Sequence, residues 1–131
     1  MANAVATQIL EQGERNVVMK LTGLLDTSDE SRVIKVDVSA LAPPCTLIRV
    51  DEIQWQISSQ LTVKLDWDAT TPVLMTTLVG YEHIDFRSTG GLLNNAGTGI
   101  TGDIFLTTIG WASGTQSYTI WLHLVKQGVI G

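Results

Sequence analysis

The side chains able to carry chemistry are few and scattered. Gly97-Thr98-Gly99-Ile100-Thr101-Gly102 has the G-x-G-x-x-G spacing of dinucleotide loops, in which glycines bring backbone amides and a helix N-terminus against a pyrophosphate. Here Asp103-Ile104-Phe105-Leu106 follows and reads as a strand, so the segment is a flexible β-connection. Asp66 with Asp68, and Asp26 with Asp29 and Glu30, offer carboxylate oxygens of the kind that bind calcium, without EF-hand spacing or a third fixed ligand. They read as a solvated strand face and an acidic turn. His83 and His123 stand forty positions apart with no zinc-ligand spacing. Cys45 follows two prolines instead of opening a helix that would lower its thiol pKa. Carboxylates at Glu52, Asp66, Asp68 and Glu82 could cleave a glycoside only at a defined separation, which the sequence does not set, and no G-x-S-x-G elbow occurs. The expectation is a protein that is not an enzyme, with no catalytic residue, cofactor or metal site.

Tryptophan carries more information. Four Trp stand against two Phe and two Tyr, and indole combines large contact area with one hydrogen-bond donor, which suits a core or an interface. Tyr118, Ile120, Leu122 and Leu124 share one face of an alternating run, while Trp121 and Val125 fall on the other beside Thr119 and His123. That second face is too apolar for bulk water, and a neighbouring subunit is the expected cover. Trp111, between Gly110 and Gly114, is a loop residue that could meet a sugar ring, a protein, or the end of its own fold.

These residues need a scaffold, and its period is two. Leu61, Val63, Leu65 and Trp67 alternate with Thr62, Lys64, Asp66 and Asp68, the signature of a half-buried strand. Ile53, Trp55 and Ile57 alternate with Gln54 and Gln56, and Ser58-Ser59 reads as a short hairpin connection that leaves Trp55 and Trp67 facing one core. Upstream, Ile48 and Val50 carry the apolar parity on even numbers. A bulge near Asp51 and Glu52 would reconcile the two, and two separate strands are the alternative. Further strands are expected at residues 17–22, 33–38, 73–78, 84–86, 104–109 and 118–125, with a short one at 7–11. Ala42-Pro43-Pro44 stops a ladder and Thr71-Pro72 opens a strand. About eight short strands with no helical spacing predict an all-β fold, an antiparallel β-sandwich or barrel.

The chain of 131 residues has room for a single domain, residues 1–131, which would bury roughly two-thirds of its unfolded surface. Eight basic against thirteen acidic residues give a net charge of -5, which argues against nucleic acid as a direct partner. No stretch approaches eighteen consecutive apolar residues, so no membrane span is expected. Residues 1–16 lack the basic start and unbroken apolar core of a signal peptide, which predicts synthesis and use without Sec export. The charged fraction of 16% is low beside 44% hydrophobic residues, so a partner is expected to cover part of the surface.

Two segments stand out as contact surfaces. Residues 1–12 carry Val5, Ile9 and Leu10 with no obvious turn tying them to the next strand, and read as an N-terminal arm or edge strand against a neighbour. Eight of the twelve glycines fall between positions 80 and 114. Within residues 88–102, Leu92, Leu93 and Ile100 argue for docking, and Asn94 and Asn95 suit the loop tip. The loop either meets a neighbour or folds back over the open end of its own sandwich. The predicted protein interface is thus Val5, Ile9, Leu92, Leu93, Asn94, Asn95, Ile100, Trp111 and Trp121.

The phrases MANAVATQIL, NVVMKLTGLLDTSDES, LTVKLDWDATTPVL, GGLLNNAGTGITGDIFLTT and LVKQ together resemble small virion structural proteins of tailed bacteriophages. The resemblance implies a jelly-roll-like β-sandwich acting as a capsid cement or decoration protein. Such a protein would be made in the host cytoplasm and sit on the outer capsid surface. It would bind the major capsid protein and stabilise the head as a homo-oligomer, a trimer by preference. A tail, neck or baseplate subunit is the alternative within the same particle. A carbohydrate-binding module stacking sugars on Trp111 and Trp121 is the alternative from another class.

Overall fold

The computed structural model describes residues 4–129; of the expected arm at residues 1–12, the first three therefore lie outside the described residues. Nine strands follow in order: β1 (Ala4–Gln12), β2 (Asn16–Leu25), β3 (Val33–Val36), β4 (Cys45–Ile57), β5 (Thr62–Trp67), β6 (Val73–Leu78), β7 (Tyr81–Asp85), β8 (Ile104–Ile109) and β9 (Gln116–Val129). Helix among the described residues is limited to two three-residue 3₁₀ turns, Val38–Ala40 and Arg87–Thr89. The period of two therefore reports the architecture correctly.

The strands form two antiparallel sheets, one ordered β1-β2-β9-β4-β7 and the other β3-β8-β5-β6. The pairs β2·β9, β3·β8, β4·β7 and β5·β6 are nested in sequence, as though one long hairpin had been rolled over itself. Eight strands in this arrangement make a jelly roll, and β1 adds a ninth at the edge beside β2.

The core lies between the sheets. From the first sheet come Leu21, Ile48, Val50, Ile53, Ile120 and Leu122, and from the second Val63, Leu65, Trp67, Ile104 and Leu106, all fully or almost fully buried. One extra residue in β4 shifts its register against β9 between Val50 and Glu52. Ile48 and Val50 before it, and Ile53, Trp55 and Ile57 after it, all turn inward. The bulge reading holds, and the two runs are one strand. The hairpin reading of Ser58-Ser59 is corrected: β4 and β5 belong to different sheets, so residues 58–61 cross between layers. Ser58 N donates to Ser117 O at 2.9 Å and Leu61 N to Ser58 O at 3.0 Å. Trp55 and Trp67 still meet the same core, from opposite layers.

A polar network closes one end of the sandwich. Lys35 is the extra residue of a bulge in β3, which directs its Nζ inward to Glu30 Oε2 at 3.0 Å, with both side chains almost wholly buried. The Tyr118 hydroxyl donates a short hydrogen bond to Glu30 Oε1. Burial, reinforced by that hydrogen bond, holds this phenol far above its ordinary pKa, so it remains a donor. The Tyr118 ring occupies the space that a Cβ at residue 23 would need, which explains the glycine there. Asp29 Oδ1 accepts from Thr108 Oγ1 and Trp111 N, each at 3.0 Å. The acidic run is therefore an internal clamp, not a solvated turn.

Two outcomes test this core. Trp67, 1% exposed, should lose about 3 to 5 kcal/mol of unfolding free energy as Trp67→Ala in a denaturant titration. Lys35→Met strands a buried carboxylate and should cost about 3 to 5 kcal/mol, whereas Tyr118→Phe, which leaves the ion pair intact, should cost about 1 to 3 kcal/mol.

Candidate interaction surface

The outer face of the five-stranded sheet carries most of the remaining chemistry. Register places Gln8, Lys20, Trp121, Gln54 and His83 in one row across β1, β2, β9, β4 and β7. The neighbouring row runs Glu11, Val18, His123, Glu52 and Asp85. Trp121 is half-buried at the centre of this face, flanked by an ammonium and an amide.

Beside it, two histidines distant in sequence converge on one carboxylate. His83 Nε2 lies 2.8 Å from Glu52 Oε2, and His123 Nε2 lies 3.2 Å from Glu52 Oε1. Pairing of β7 and β9 to opposite edges of β4 produces this, because cross-strand and diagonal neighbours on one face approach within side-chain reach. The Arg87 guanidinium closes the cluster, 3.0 Å from Asp85 and 3.7 Å from Glu52. The Arg87 backbone N–H, with help from its guanidinium, holds the Asp85 carboxyl below its ordinary range. Arg49 Nε pairs with Asp51 Oδ1 at 2.7 Å. A depression of about 270 Å³ opens next to these groups, lined by Glu11, Val18, Asp51, Arg87 and His123 among others. The histidines were read as surface or structural residues, and their meeting was missed. The signal lay in the β4 bulge, which fixes Glu52 on the outer face.

The loop of residues 88–102 docks on its own sandwich. Leu92 exchanges both backbone hydrogen bonds with Val50, at 2.7 and 3.0 Å, extending the β4 edge beyond β7, and its side chain packs against the core. Gly90 and Gly91 have φ of 86° and 84°, left-handed angles that glycine adopts without strain. Farther on, Thr70 N donates to Thr98 O at 3.1 Å and Thr101 Oγ1 to Asp68 Oδ2 at 2.9 Å. Asn94 turns inward enough for its Oδ1 to accept from Ala96 N at 2.9 Å. Leu93, Asn95 and Ile100 remain exposed. Trp111 packs against the core, and its Nε1 donates to Leu25 O and Gly114 O at 2.9 and 3.0 Å. It plugs the sandwich end, away from Trp121, so the two indoles do not form one sugar platform.

At the other margin, Val5 and Ile9 on β1 are each 43% exposed although they point to the inner side of the sheet. Among the described residues no cluster of three or more His, Cys, Asp or Glu is arranged to hold a metal ion, and no helix is long and apolar enough to cross a membrane. Burial raises the pKa of the Cys45 thiol despite the nearby Lys126 ammonium. No protein family matches the sequence, and neither the curated proteins nor the solved structures contain a match.

Amide exchange checks the loop docking directly. The Leu92 amide should be protected in the isolated protein, whereas those of Leu93 and Asn95 should exchange at loop rates; rapid exchange at Leu92 would contradict its pairing with Val50.

Proposed function

We propose that this protein is a non-enzymatic structural subunit, a cement or decoration protein that binds the major capsid protein of a tailed-phage head. The observation that carries the reading is the placement of exposed apolar side chains. Val5, Ile9 and Leu10 line a strand edge, and Leu93 and Ile100 crown the end loop, exposed positions suited to contact with a macromolecule. The chemistry-bearing side chains serve the fold: Asp29 and Glu30 clamp loops, and Glu52 ties β7 and β9 to β4. Jelly rolls recur in viral capsids and in lectins, an analogy at the level of fold that supports the reading without assigning a site.

Copy number tests it. A capsid component should be present in hundreds of copies per particle by gel densitometry, whereas on the order of ten copies would indicate a tail, neck or baseplate ring instead. Trp121→Ala should weaken particle binding while the isolated chain keeps its unfolding midpoint, and unchanged co-sedimentation with particles would remove the outer sheet face from the interface. The row Gln8, Lys20, Trp121, Gln54 and His83 favours a second reading, a glycan stacked on the half-buried Trp121 indole with amides on its hydroxyls. Unchanged tryptophan fluorescence across a glycan panel would exclude it.

A further inference from the structure

Strand β1 overhangs the fold by one strand. Its Val5, Thr7 and Ile9 pair with Gly23, Leu21 and Met19 of β2 and share their inward face. Leu21 and Met19 are buried, while all three β1 residues are exposed, so the second sheet stops beneath β2. The groove left below β1, about 510 Å³, is lined by Thr7, Ile9, Met19, Ile34 and Leu41 among others. Among the described residues, the outer edge of β1 has no neighbouring strand.

We propose that this edge pairs with the same edge of a second copy of the chain, antiparallel across a two-fold axis through Thr7, joining two five-stranded sheets into one of ten. An antiparallel strand edge is its own complement under a two-fold. Directly opposed residues must point to the same face, so paired residue numbers must sum to an even value. Centring on Thr7 sets Val5 against Ile9 of the copy and Ala6 against Gln8 of the copy. Centring on Gln8 would leave Ile9 facing Thr7 and bring the irregularity between Ile9 and Glu11 into the pairing, and centring on Ala6 would leave Val5 facing Thr7. Glu11, the one charged residue of β1, then lies at the far ends of the joined strands, where the two copies do not repel. The overhang supplies the room: two β1 strands between two β2 strands separate the β2 pair by about 14 Å, three strand spacings. The lower sheets therefore stand clear, and the exposed apolar side chains of β1 and β3 from both copies fill the space. The pairing is independent of what the outer sheet face binds, and its test uses the isolated protein.

Thr7→Cys is the decisive variant, because only a residue on the axis meets its own copy. Cys45 is buried and serves as an internal control. Sedimentation of the native chain should give twice the mass of one chain. Oxidised Thr7→Cys should run as a covalent dimer on a non-reducing gel. Ala6→Cys and Gln8→Cys should each cross-link weakly alone and efficiently when mixed. Ile9→Lys should return the protein to one-chain mass with its unfolding midpoint retained. A monomeric native chain would overturn the proposal, as would a dimer in which Thr7→Cys fails to cross-link. Cross-linking of Thr7→Cys to a different protein in particles, with the isolated chain monomeric, would also overturn it and assign the edge to that partner.

Discussion

A single extra residue in β4 governs much of this molecule. Without the bulge at Asp51, the inward parity of Ile48 and Val50 would carry Ile53, Trp55 and Ile57 to the outer face, exposing three large side chains that are now buried. The bulge also sits where the chain after β7 is anchored to β4. Asp51 O accepts from Phe86 N at 2.8 Å, its carboxylate holds Arg49, and the backbone of Val50 receives Leu92. Glu52, turned outward by the bulge, then meets both histidines. Core register, loop docking and the outer polar cluster thus share one origin in backbone geometry.

A second dependence runs through the buried ion pair at the sandwich end. Burying two opposite charges is favourable only when the geometry is good and the remaining polar atoms are satisfied. Here Lys35 reaches Glu30, and Tyr118 completes the second carboxylate oxygen. The Glu30 backbone is tied to Thr108 by reciprocal bonds, N to Oγ1 at 2.8 Å and Thr108 N to Glu30 O at 2.9 Å. The network links the connection after β2 to β3, β8 and β9, the strands on which the rolled topology closes. It specifies how the layers meet, a task that non-directional hydrophobic contact performs poorly.

What the sequence made legible follows from range. Alternation is local, so residues 73–78 and 104–109 match strands β6 and β8 at both ends, and the β4 bulge shows as a change of parity. Sheet membership is not local. Ser58-Ser59 has the composition of a hairpin turn, yet the β4-β5 connection crosses layers because β9 and β7 already occupy both edges of β4. β7 was read only in part, at residues 84–86, because a strand exposed along its whole length has no buried face to impose an apolar alternation. The acidic run read as a solvated turn because Thr108 and Tyr118 reach it from strands distant in sequence, and only the bulge in β3 turns Lys35 inward to it. Apolar side chains in odd places were legible as candidates for contact, but Leu92 and Trp111 pack against the chain's own core, which only the three-dimensional path of the loop decides.

The four strand edges are managed unequally, and that asymmetry bears on association. An open edge is a template for further pairing unless it is short, bulged, proline-marked or charged. β3 has four residues and a bulge. β6 follows Pro72 and shifts register against β5. β7 has five residues, among them Glu82, His83 and Asp85, with Arg87 folded beside it. β1 carries such devices only toward one end: it is nine residues long, has no lysine, arginine or proline, and places its only charge, Glu11, near its end. Its irregularity, between Ile9 and Glu11, also lies toward that end, which leaves the stretch around Thr7 regular. A fold that blunts three edges and leaves most of the longest one open offers unpaired backbone groups for strand addition chiefly on a single side.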